Sequence, residues 1–301
     1  MQFAKPFSND DPHRAILITG ASSGIGRATA LRLARHGWRV FATVRKESDA
    51  ETLKAEAPGD LETIYLDVAD PISIAAAARE VEKRLEQSGL DGLLNNAGIG
   101  ITAPVEHTSR DQLEHIFEIN LFGQIALIQA FLPLIRRANG RIVNIGSVGD
   151  HITPPFGGAL AASKAAFASM SSALRLELRP QGIHVCIVEP GSINTPAVEK
   201  TLGGVEEKIA VLPPGGATLY GAAMRQAMST FAKKEHSGSS PEAVAKVVER
   251  ALNARHPQTR YPAGKDSRKL SLLARFLPER LLDRAILKVF GLPTSFGKPV
   301  Q

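Results

Sequence analysis

The stretch that decides the fold is Ala15-Ile-Leu-Ile-Thr-Gly-Ala-Ser-Ser-Gly-Ile-Gly26. Its first five residues form an apolar run, which is typical of a strand buried on both faces of a parallel sheet. Three glycines follow, and an amphipathic helix is predicted from about residue 27 to residue 36, where Gly37 ends it. This order predicts a loop whose backbone can approach the phosphates of a dinucleotide at the start of a helix.

Strands and helices alternate along the chain on both sides of this loop. Further strands are predicted at residues 39–44, 61–68, 90–95, 141–145 and 183–188, with a last short one at 259–261. Helices are predicted between them, and Pro133 should kink the longest, at 110–138, or end its regular part. Because such an alternation requires right-handed crossovers, the predicted fold class is α/β: a single doubly wound Rossmann-type parallel sheet with helices on both faces.

No linker divides the chain, so one domain is predicted over residues 1–264, followed by an amphipathic helical C-terminal extension at 265–301. Within the domain, residues of about 197–238 are helical in composition but interrupted by glycines and prolines, which is typical of a lid. In the extension, leucines recur at helical spacing between basic residues over 266–292. In one interpretation this segment covers the substrate site or contacts a membrane surface. In the other, which we favour, it packs on the protein's own body or on a partner subunit.

The composition of the chain disfavours several classes of protein. The chain has 301 residues with a formal net charge of +6 and only 5% aromatic residues, which disfavours nucleic acid as a partner. A single cysteine, Cys186, excludes an intrachain disulfide framework and suits a reducing compartment, and no metal site is predicted. No apolar run reaches ~18 residues, and residues 1–13 lack the apolar core of a signal peptide. A cytoplasmic location is therefore expected.

The glycine spacing in the loop is Gly-x-x-x-Gly-x-Gly, and by itself it fits a merely tight strand-to-helix turn as well. In its context between a buried strand and a helix it predicts a pyrophosphate site. The residues expected to contact the cofactor there are Gly20, Ser22, Ser23, Gly24, Ile25 and Gly26.

The end of the second strand decides between the two nicotinamide cofactors. A carboxylate there would bind the ribose 2′-hydroxyl and repel a 2′-phosphate. The sequence instead reads Thr43-Val44-Arg45-Lys46. Arg45 can hold a phosphate with its planar guanidinium, or it can simply be a solvated charge at a strand end. We expect NADP(H).

Six motifs occur in an order that is typical of one protein family. They are Thr19-Gly-Ala-Ser-Ser-Gly-Ile-Gly26, Asn95-Asn-Ala-Gly98, Asn120, Ser147, Lys164 and Pro190-Gly-Ser-Ile-Asn-Thr195. Over roughly residues 13–262 the chain resembles the short-chain dehydrogenase/reductase family. The detail over 143–200 is similar to its hydroxysteroid and retinol dehydrogenase branch. The resemblance implies an alcohol/ketone oxidoreductase that works on a lipophilic substrate.

The resemblance also implies roles for individual residues. Asn120 would hold a water on a proton relay, Ser147 would bind the substrate oxygen, and Lys164 would bind the nicotinamide ribose and lower the pKa of a catalytic tyrosine. Further cofactor contacts would come from residues beside the adenine, in the cleft and at the carboxamide: Asp67, Val68, Asn95, Ala97, Gly98, Pro190, Gly191, Ile193 and Thr195. Singly, the polar residues among these have ordinary structural explanations as turn formers and caps.

The family's tyrosine should lie four residues before the lysine, and this chain has Leu160 there. Leucine can neither donate nor accept a proton. Three interpretations remain open: an oxidoreductase impaired by an engineered or natural loss, a non-catalytic NADP(H)-binding sensor or scaffold, and an enzyme that uses another acid, such as His151, or a water. The substrate pocket is expected to include His151, Phe156 and Leu160. Small residues along the helix at 158–179 make a homodimer or homotetramer plausible.

Overall fold

The computed structural model describes residues 14–296; residues 1–13 and 297–301, which the sequence assigns to the start of the domain and the end of the extension, lie outside the described part. Seven strands form one parallel sheet. They are β1 (Ala15–Ile18), β2 (Arg39–Val44), β3 (Leu61–Tyr65), β4 (Gly92–Asn95), β5 (Arg141–Ile145), β6 (His184–Pro190) and β7 (Arg260–Ala263). Their order is β3-β2-β1-β4-β5-β6-β7, so the winding direction reverses between β1 and β4. The predicted doubly wound fold is confirmed.

Strand β1 lies at the centre of the sheet and is buried along its whole length. Its side chains alternate between the two faces, as a strand requires. Ile16 and Ile18 pack into the core on one face, and Ala15 and Leu17 pack into the core on the other. The apolar run at the start of the deciding stretch is therefore explained by burial on both sides.

Twelve α-helices connect the strands and complete the described part of the chain. They are α1 (Gly24–Arg35), α2 (Glu47–Glu56), α3 (Pro71–Leu85), α4 (Arg110–Phe117), α5 (Gly123–Ala138), α6 (Gly158–Leu178), α7 (Pro196–Leu202), α8 (Val205–Ala210), α9 (Pro214–His236), α10 (Pro241–Asn253), α11 (Ser267–Phe276) and α12 (Glu279–Phe290). Short 3₁₀ turns at 105–107, 148–150 and 179–181 lie between them.

The irregularity in the long helix is not where the sequence predicts it. Pro133 lies on the exposed side of α5, which continues to Ala138, so water can take up the carbonyl that a proline leaves unbonded. The irregular turn is instead a π-helix at Glu118–Phe122 that joins α4 to α5 and contains Asn120. Such a turn widens the helix locally and is often found at functional sites.

The stretch from α4 to α5, Arg110–Ala138, also has the length and mean hydropathy, 1.5, of a helix that could cross a membrane. Its most apolar window is 56% buried inside the fold. This stretch contains no unbroken apolar run, because polar residues interrupt it at helical spacing. Its mean hydropathy is nevertheless high.

The segment predicted as a lid, at about residues 197–238, and the C-terminal extension share a third core, apart from the two that cover the sheet. Val198, Met224 and Met228 from α7 and α9 pack there with Phe290 of α12 and with Leu292. The two segments therefore act as one layer over the carboxyl ends of β5 and β6. That the first of these segments moves as a lid stays a prediction, as does the division of the chain at residues 264 and 265.

Candidate active site

Two cavities meet above the carboxyl ends of the strands. The first, of about 640 Å³, follows the loop after β1, the ends of β2 and β4, and the loop after β6; we call it the cofactor cleft. The second, of about 510 Å³, is enclosed by the loop after β5 and by α6, α9, α11 and α12; we call it the apolar cavity. Residues that line both define their junction: Ile101, Ser147, Leu160, Lys164, Gly191, Thr195, Ala197, Thr201 and Glu235.

The glycine loop gives the cofactor cleft its shape. Gly20 and Gly24 have φ of +65° and +56°, values that side-chain-bearing residues rarely adopt. A Cβ on Gly26 would lie 2.4 Å from the carbonyl oxygen of Gly20, so only glycine fits this close approach of α1 to the strand end. Ser23 precedes α1 and accepts no capping bond within the described residues. The start of α1 is therefore open towards the cleft, as an anion site requires.

At the other end of the cleft, basic and acidic side chains lie side by side. Arg45 follows β2 with its side chain 67% exposed, and its Nη1 lies 3.8 Å from Oδ2 of Asp67. Both residues line the cleft, together with Val68, Ser22 and Ser23. This arrangement brings together the residues predicted for the adenosine half of a dinucleotide.

The loop after β4 contributes to the cleft by a different residue from the one expected. Ala97 and Gly98 line it, as does Asn96, whose Nδ2 donates to the carbonyl oxygens of Thr19 and Gly20. Asn95 does not line the cleft, because the alternation of β4 turns its side chain into the sheet, where Nδ2 donates to Oδ1 of Asn144 at 2.8 Å. The sequence expectation for Asn95 is corrected accordingly.

Asn120 connects the loop after β4 to α6 by hydrogen bonds. Its Nδ2 donates to the carbonyl oxygen of Ile99 and to Oγ of Ser163, both at 2.9 Å, and its Oδ1 accepts from the backbone amide of Ile99. The side chain is buried and belongs to neither cavity lining. It therefore fixes α6 against the loop after β4, and the water on a relay stays a prediction.

Ser147, Leu160 and Lys164 come together at the junction of the cavities, as the motif spacing predicts. Ser147 lies after β5, and its Oγ accepts from the amide of Gly149 at 2.9 Å. Nζ of Lys164 donates to the carbonyl oxygen of Ile145 at 2.9 Å. Leu160 lies one turn before the lysine on the same face of α6. The hydroxyl and the amine are therefore in place at the junction, beside the apolar side chain of Leu160.

The protein lowers the pKa of Lys164 and so makes its ammonium a stronger acid. Its ammonium is enclosed by protein atoms, and this burial lowers its pKa from 10.5 to about 8, while the negative charge of Asp150 acts in the opposite direction. The lysine can therefore exchange a proton near neutral pH.

No tyrosine of the described chain supplies the proton donor that Leu160 lacks. Within the described chain, none of the three tyrosines lines either cavity. Tyr65 is 47% exposed on β3, and Tyr261 is buried on β7, where its hydroxyl accepts from the amide of Gln258. Tyr220 packs edge-on against Phe156 in the core below the lid.

Two of the three residues expected in the substrate pocket lie elsewhere. Phe156 adopts φ of +66° and turns its ring into the core with Val198, so it lies outside both cavity linings. His151 likewise lies outside them, because its Nε2 faces Oε1 of Glu189 at 3.1 Å. Of the predicted pocket residues, Leu160 alone lines the apolar cavity.

The surroundings of His151 are acidic. Its ligand atoms lie with those of Asp150 and Glu189 in a group compact enough for a metal ion. Nη1 of Arg260 lies 2.7 Å from Oδ2 of Asp150 and also contacts Glu189. The guanidinium thus already supplies the positive charge that these carboxylates require.

The sequence did not predict four residues of the junction, Ile101, Ala197, Thr201 and Glu235, and only Glu235 among them is ionisable. Glu235 lies near the end of α9 in the run Lys233-Lys-Glu-His236, which has the appearance of a solvated helix end. In the structure its Oε2 accepts from the amide of Ile193 at 3.1 Å, and burial raises its pKa. No local signal marks it, because only tertiary packing brings this turn to the junction.

The walls of the apolar cavity come largely from the C-terminal extension. The inner faces of α11 and α12 contribute apolar side chains: Leu270, Leu273, Leu277, Leu282, Ile286 and Val289. With Ser147 and Lys164 at the junction and mostly apolar walls elsewhere, apart from Lys234, Asp266 and Lys269, this cavity suits a lipophilic molecule that presents an oxygen function to the junction.

The chain is similar to known proteins over most of its length. The sequence profile described as short chain dehydrogenase matches residues 14–204. Retinol dehydrogenase 5 from Homo sapiens is 38% identical over 93% of this chain and 90% of that protein. The 17-beta-hydroxysteroid dehydrogenase type 6 from Rattus norvegicus is 35% identical over 89% of this chain and 86% of that protein. The crystal structure of a short-chain dehydrogenase from Streptomyces avermitilis superposes with a TM-score of 0.72 at 29% identity, covering 94% of this chain and 97% of that one.

The expected cytoplasmic location is wrong. It rested on the lack of an apolar stretch long enough to span a membrane, whereas the helix over Arg110–Ala138 has that length and hydropathy. The relatives above are moreover named for retinol and a hydroxysteroid, both lipid-soluble molecules. A plainly cytoplasmic assignment therefore does not hold.

Proposed function

Because this chain belongs to the short-chain dehydrogenase family, we propose that it is an NADP(H)-dependent oxidoreductase for a lipophilic alcohol or ketone, slowed by leucine at the position of the proton donor. The resemblance to the retinol and hydroxysteroid branch is confirmed by relatives of both kinds. The observation that carries the proposal is the meeting of a dinucleotide-shaped cleft and an apolar cavity at Ser147, Leu160 and Lys164.

The residues of the cleft fit a dinucleotide. The open start of α1 and the glycine loop would hold the pyrophosphate; Gly26 does not line the cleft itself but lets α1 approach the carbonyl of Gly20, which gives the loop its shape. When bound, the reduced nicotinamide supplies a hydride to a carbonyl carbon. Its carboxamide and ribose would be held at the junction end of the cleft, by Lys164, Pro190, Gly191, Ile193 and Thr195.

The choice of NADP(H) rests on the end of β2. Arg45 lies in the cleft with its guanidinium exposed, and no carboxylate follows the strand before Glu47. A 2′-phosphate bound there would complete charge-assisted hydrogen bonds with Arg45 and with the hydroxyls of Ser22 and Ser23. The carboxylate of Asp67, at 3.8 Å from Arg45, orients the guanidinium towards the cleft.

The substrate class follows from the apolar cavity. Retinol and hydroxysteroids, which give two of the relatives their names, each combine a large apolar body with few oxygen functions. The cavity of about 510 Å³ offers apolar walls from α11 and α12, and only its junction end carries Ser147 and Lys164. Ser147 can donate its hydroxyl hydrogen to a carbonyl oxygen there, because its contact with Gly149 uses a lone pair and not the proton.

Leu160 accounts for the slow rate. The alkoxide formed by hydride transfer has to be protonated, and a positioned acid contributes typically ~10²–10⁴-fold to such a reaction. The side chain of Leu160 offers no proton and no hydrogen bond. A chain with this leucine therefore binds cofactor and substrate well and turns over slowly. His151 lies outside both cavities and takes no part in the proposal.

The experiment is transfer of deuterium from 4-deuterated NADPH to retinaldehyde and to a 17-ketosteroid, read by mass spectrometry so that slow turnover is visible. We expect labelled alcohol from at least one of them, and tighter binding of NADPH than of NADH. NADPH binding without label in any alcohol, in the wild type and after Leu160→Tyr, would instead establish a non-catalytic NADP(H)-binding protein.

A further inference from the structure

Two ionisable side chains stand apart from all others in the described chain, because they line both cavities. They are Lys164 and Glu235. Seven other ionisable side chains of the described residues line a single cavity: Arg45, Asp67, His115 and Lys200 line the cofactor cleft, and Lys234, Asp266 and Lys269 line the apolar cavity. A proton donor for a substrate oxygen has to lie where the two cavities meet, so the choice reduces to these two residues.

The geometry of Lys164 leaves it able to donate. Its Nζ gives one hydrogen bond to the carbonyl oxygen of Ile145, at 2.9 Å, and an ammonium has three N–H groups. A Cβ on Gly98 would lie 3.7 Å from Nζ, so the glycine keeps the space beside the amine open. Ser147, which would bind the substrate oxygen, lines the same junction.

Glu235 is less suited to the task. Its Oε2 accepts a hydrogen bond from the amide of Ile193, and the side chain of Ser192 is a second partner. Burial raises the pKa of Glu235 and favours its protonated form, but both contacts tie the carboxyl to the loop after β6. Glu235 also lies beside the loop after β6, where the nicotinamide carboxamide is expected, and not beside Ser147 on the loop after β5.

Resting on the function proposed above, we infer that Lys164 itself is the proton donor to the substrate oxygen in this chain. The carbonyl carbon gains a hydride, the electron pair of the broken π bond stays on the oxygen, and that oxygen takes a proton from Nζ directly or through one water. Lys164 is left as a neutral amine, and water returns the proton to it. The cofactor leaves oxidised, so electrons and protons balance.

Burial makes this exchange feasible near neutral pH. The enclosure of Nζ lowers the pKa of Lys164 to about 8, so most molecules carry the ammonium at pH 7 and the neutral amine that follows donation is well tolerated. Since the ammonium is the donor, the rate of ketone reduction falls as pH rises through about 8. A lysine that served only to bind a ribose would impose no such loss on the protonation step.

Other charged groups near Lys164 set this value. Asp150, in the turn after β5, is the one whose charge favours the ammonium. Asp150 is in turn paired with Arg260, which limits its influence on the amine. Further titratable groups on the elements around α6 are His115 on α4, His151 after the turn, Glu189 on β6 and Glu235 on α9.

The kinetic test compares single-turnover deuterium transfer from 4-deuterated NADPH to retinaldehyde and to a 17-ketosteroid between pH 6 and 10. Lys164→Arg keeps a positive charge that cannot be donated at these pH values. We expect this variant to lose at least ~10²-fold in rate, with NADPH affinity within about tenfold of the wild type. A wild-type rate that is flat to pH 9.5, or an arginine variant that keeps more than a tenth of it, would overturn the inference.

Lys208 is the matched control, since its Nζ also donates to a backbone carbonyl, that of Thr201 at 2.7 Å, burial also lowers its pKa, and it lines neither cavity. Lys208→Arg should leave the rate and its pH profile unchanged. Glu235→Gln tests the rival donor. If the rate of Glu235→Gln, with Lys164 intact, no longer falls as pH rises through about 8, the proton donor is the carboxyl of Glu235 and not Lys164.

A readout without cofactor or substrate is the titration of Lys164 by NMR in protein labelled with ¹³C at the lysine ε-carbons. The resonance absent from Lys164→Arg should titrate near pH 8, and a midpoint above 10 would overturn the inference. Label transfer by Leu160→Tyr but not by the wild type refutes the role of Lys164 and leaves the oxidoreductase function standing. No transfer by either protein refutes both.

Discussion

The cofactor cleft and the apolar cavity lie side by side, but the chain builds them in different ways. Most of the cleft is assembled from short segments that follow strands β1 to β6, and helices α4, α6, α7 and α9 add further side chains. The cavity is lined by helices α6, α7, α9, α11 and α12, which come from separate parts of the chain except for the consecutive pair α11 and α12. Local backbone geometry thus shapes the cofactor cleft, and tertiary packing shapes the apolar cavity. Substitutions should therefore affect cofactor binding and substrate binding independently.

The largest effect is expected from Gly26→Ala in the cleft. The new Cβ would lie 2.4 Å from a backbone oxygen that cannot move without breaking the loop. We expect NADPH affinity to fall at least ~100-fold, because the loop and the start of α1 no longer form the phosphate cradle. Calorimetric titration measures it. Gly215→Ala is the control, since nothing lies within 4 Å of that Cβ; equal losses in both variants would contradict the assignment of the cleft.

The second effect concerns stability at the junction. In the wild type the pKa of Lys164 is lowered from 10.5 to about 8, so between these values the unfolded chain holds more protons and stability rises with pH. Lys164→Met removes this dependence. The wild type should gain about 2 kcal/mol in free energy of unfolding relative to the variant between pH 7.5 and 10.5.

Urea denaturation at several pH values checks this. Lys54→Met, at an exposed lysine of α2, should show no such trend relative to the wild type. A constant difference between the wild type and Lys164→Met across this pH range would show that the amine is not depressed by burial.

The third effect separates the two cofactors within the cleft. Arg45→Ala removes the guanidinium proposed for the 2′-phosphate, and a hydrogen bond to a charged group contributes about 1.5–3 kcal/mol. NADPH affinity should fall by about 10–100-fold while NADH affinity stays unchanged. If NADH binding weakens equally, Arg45 does not select the phosphate.

The smallest effect belongs to the apolar cavity. Leu270→Asp places a charge on the inner face of α11, and we expect the KM of a lipophilic ketone to rise by about tenfold with no change in NADPH affinity. Leu272→Asp is the matched control, because this neighbour is 48% exposed and lines neither cavity. A similar rise in both variants would mean that α11 does not form the substrate site.

The same contrast explains how far the sequence predicts the structure. The fold and the glycine loop follow from local patterns, and Leu160 lies where its spacing from Ser147 and Lys164 puts it. The strand ends follow less closely, since β3 ends at Tyr65 and β6 extends to Pro190. The sequence cannot place Glu235 at the junction, because α9 reaches it only through the third core. It also places Phe156 wrongly, since a turn with φ of +66° redirects the ring.

Asn95 and His151 illustrate a second limit. Each belongs to a motif whose neighbours reach the site, yet one faces Asn144 inside the sheet and the other faces Glu189 beside it. A motif locates a segment of chain, whereas the direction of each side chain depends on strand alternation and on local charge partners. The π-helical turn at Asn120 is likewise invisible in the sequence, where Pro133 is the more obvious irregularity.

The central claim is that Leu160 occupies the position of the missing acid in an otherwise complete oxidoreductase site. It is tested most directly by the rate of deuterium transfer from 4-deuterated NADPH to retinaldehyde or a 17-ketosteroid in Leu160→Tyr and Leu160→Phe, which add the same ring with and without a hydroxyl. The account predicts that tyrosine raises the rate by about 10²-fold and that phenylalanine does not, with NADPH affinity similar in both. Equal rates for the two variants would contradict it.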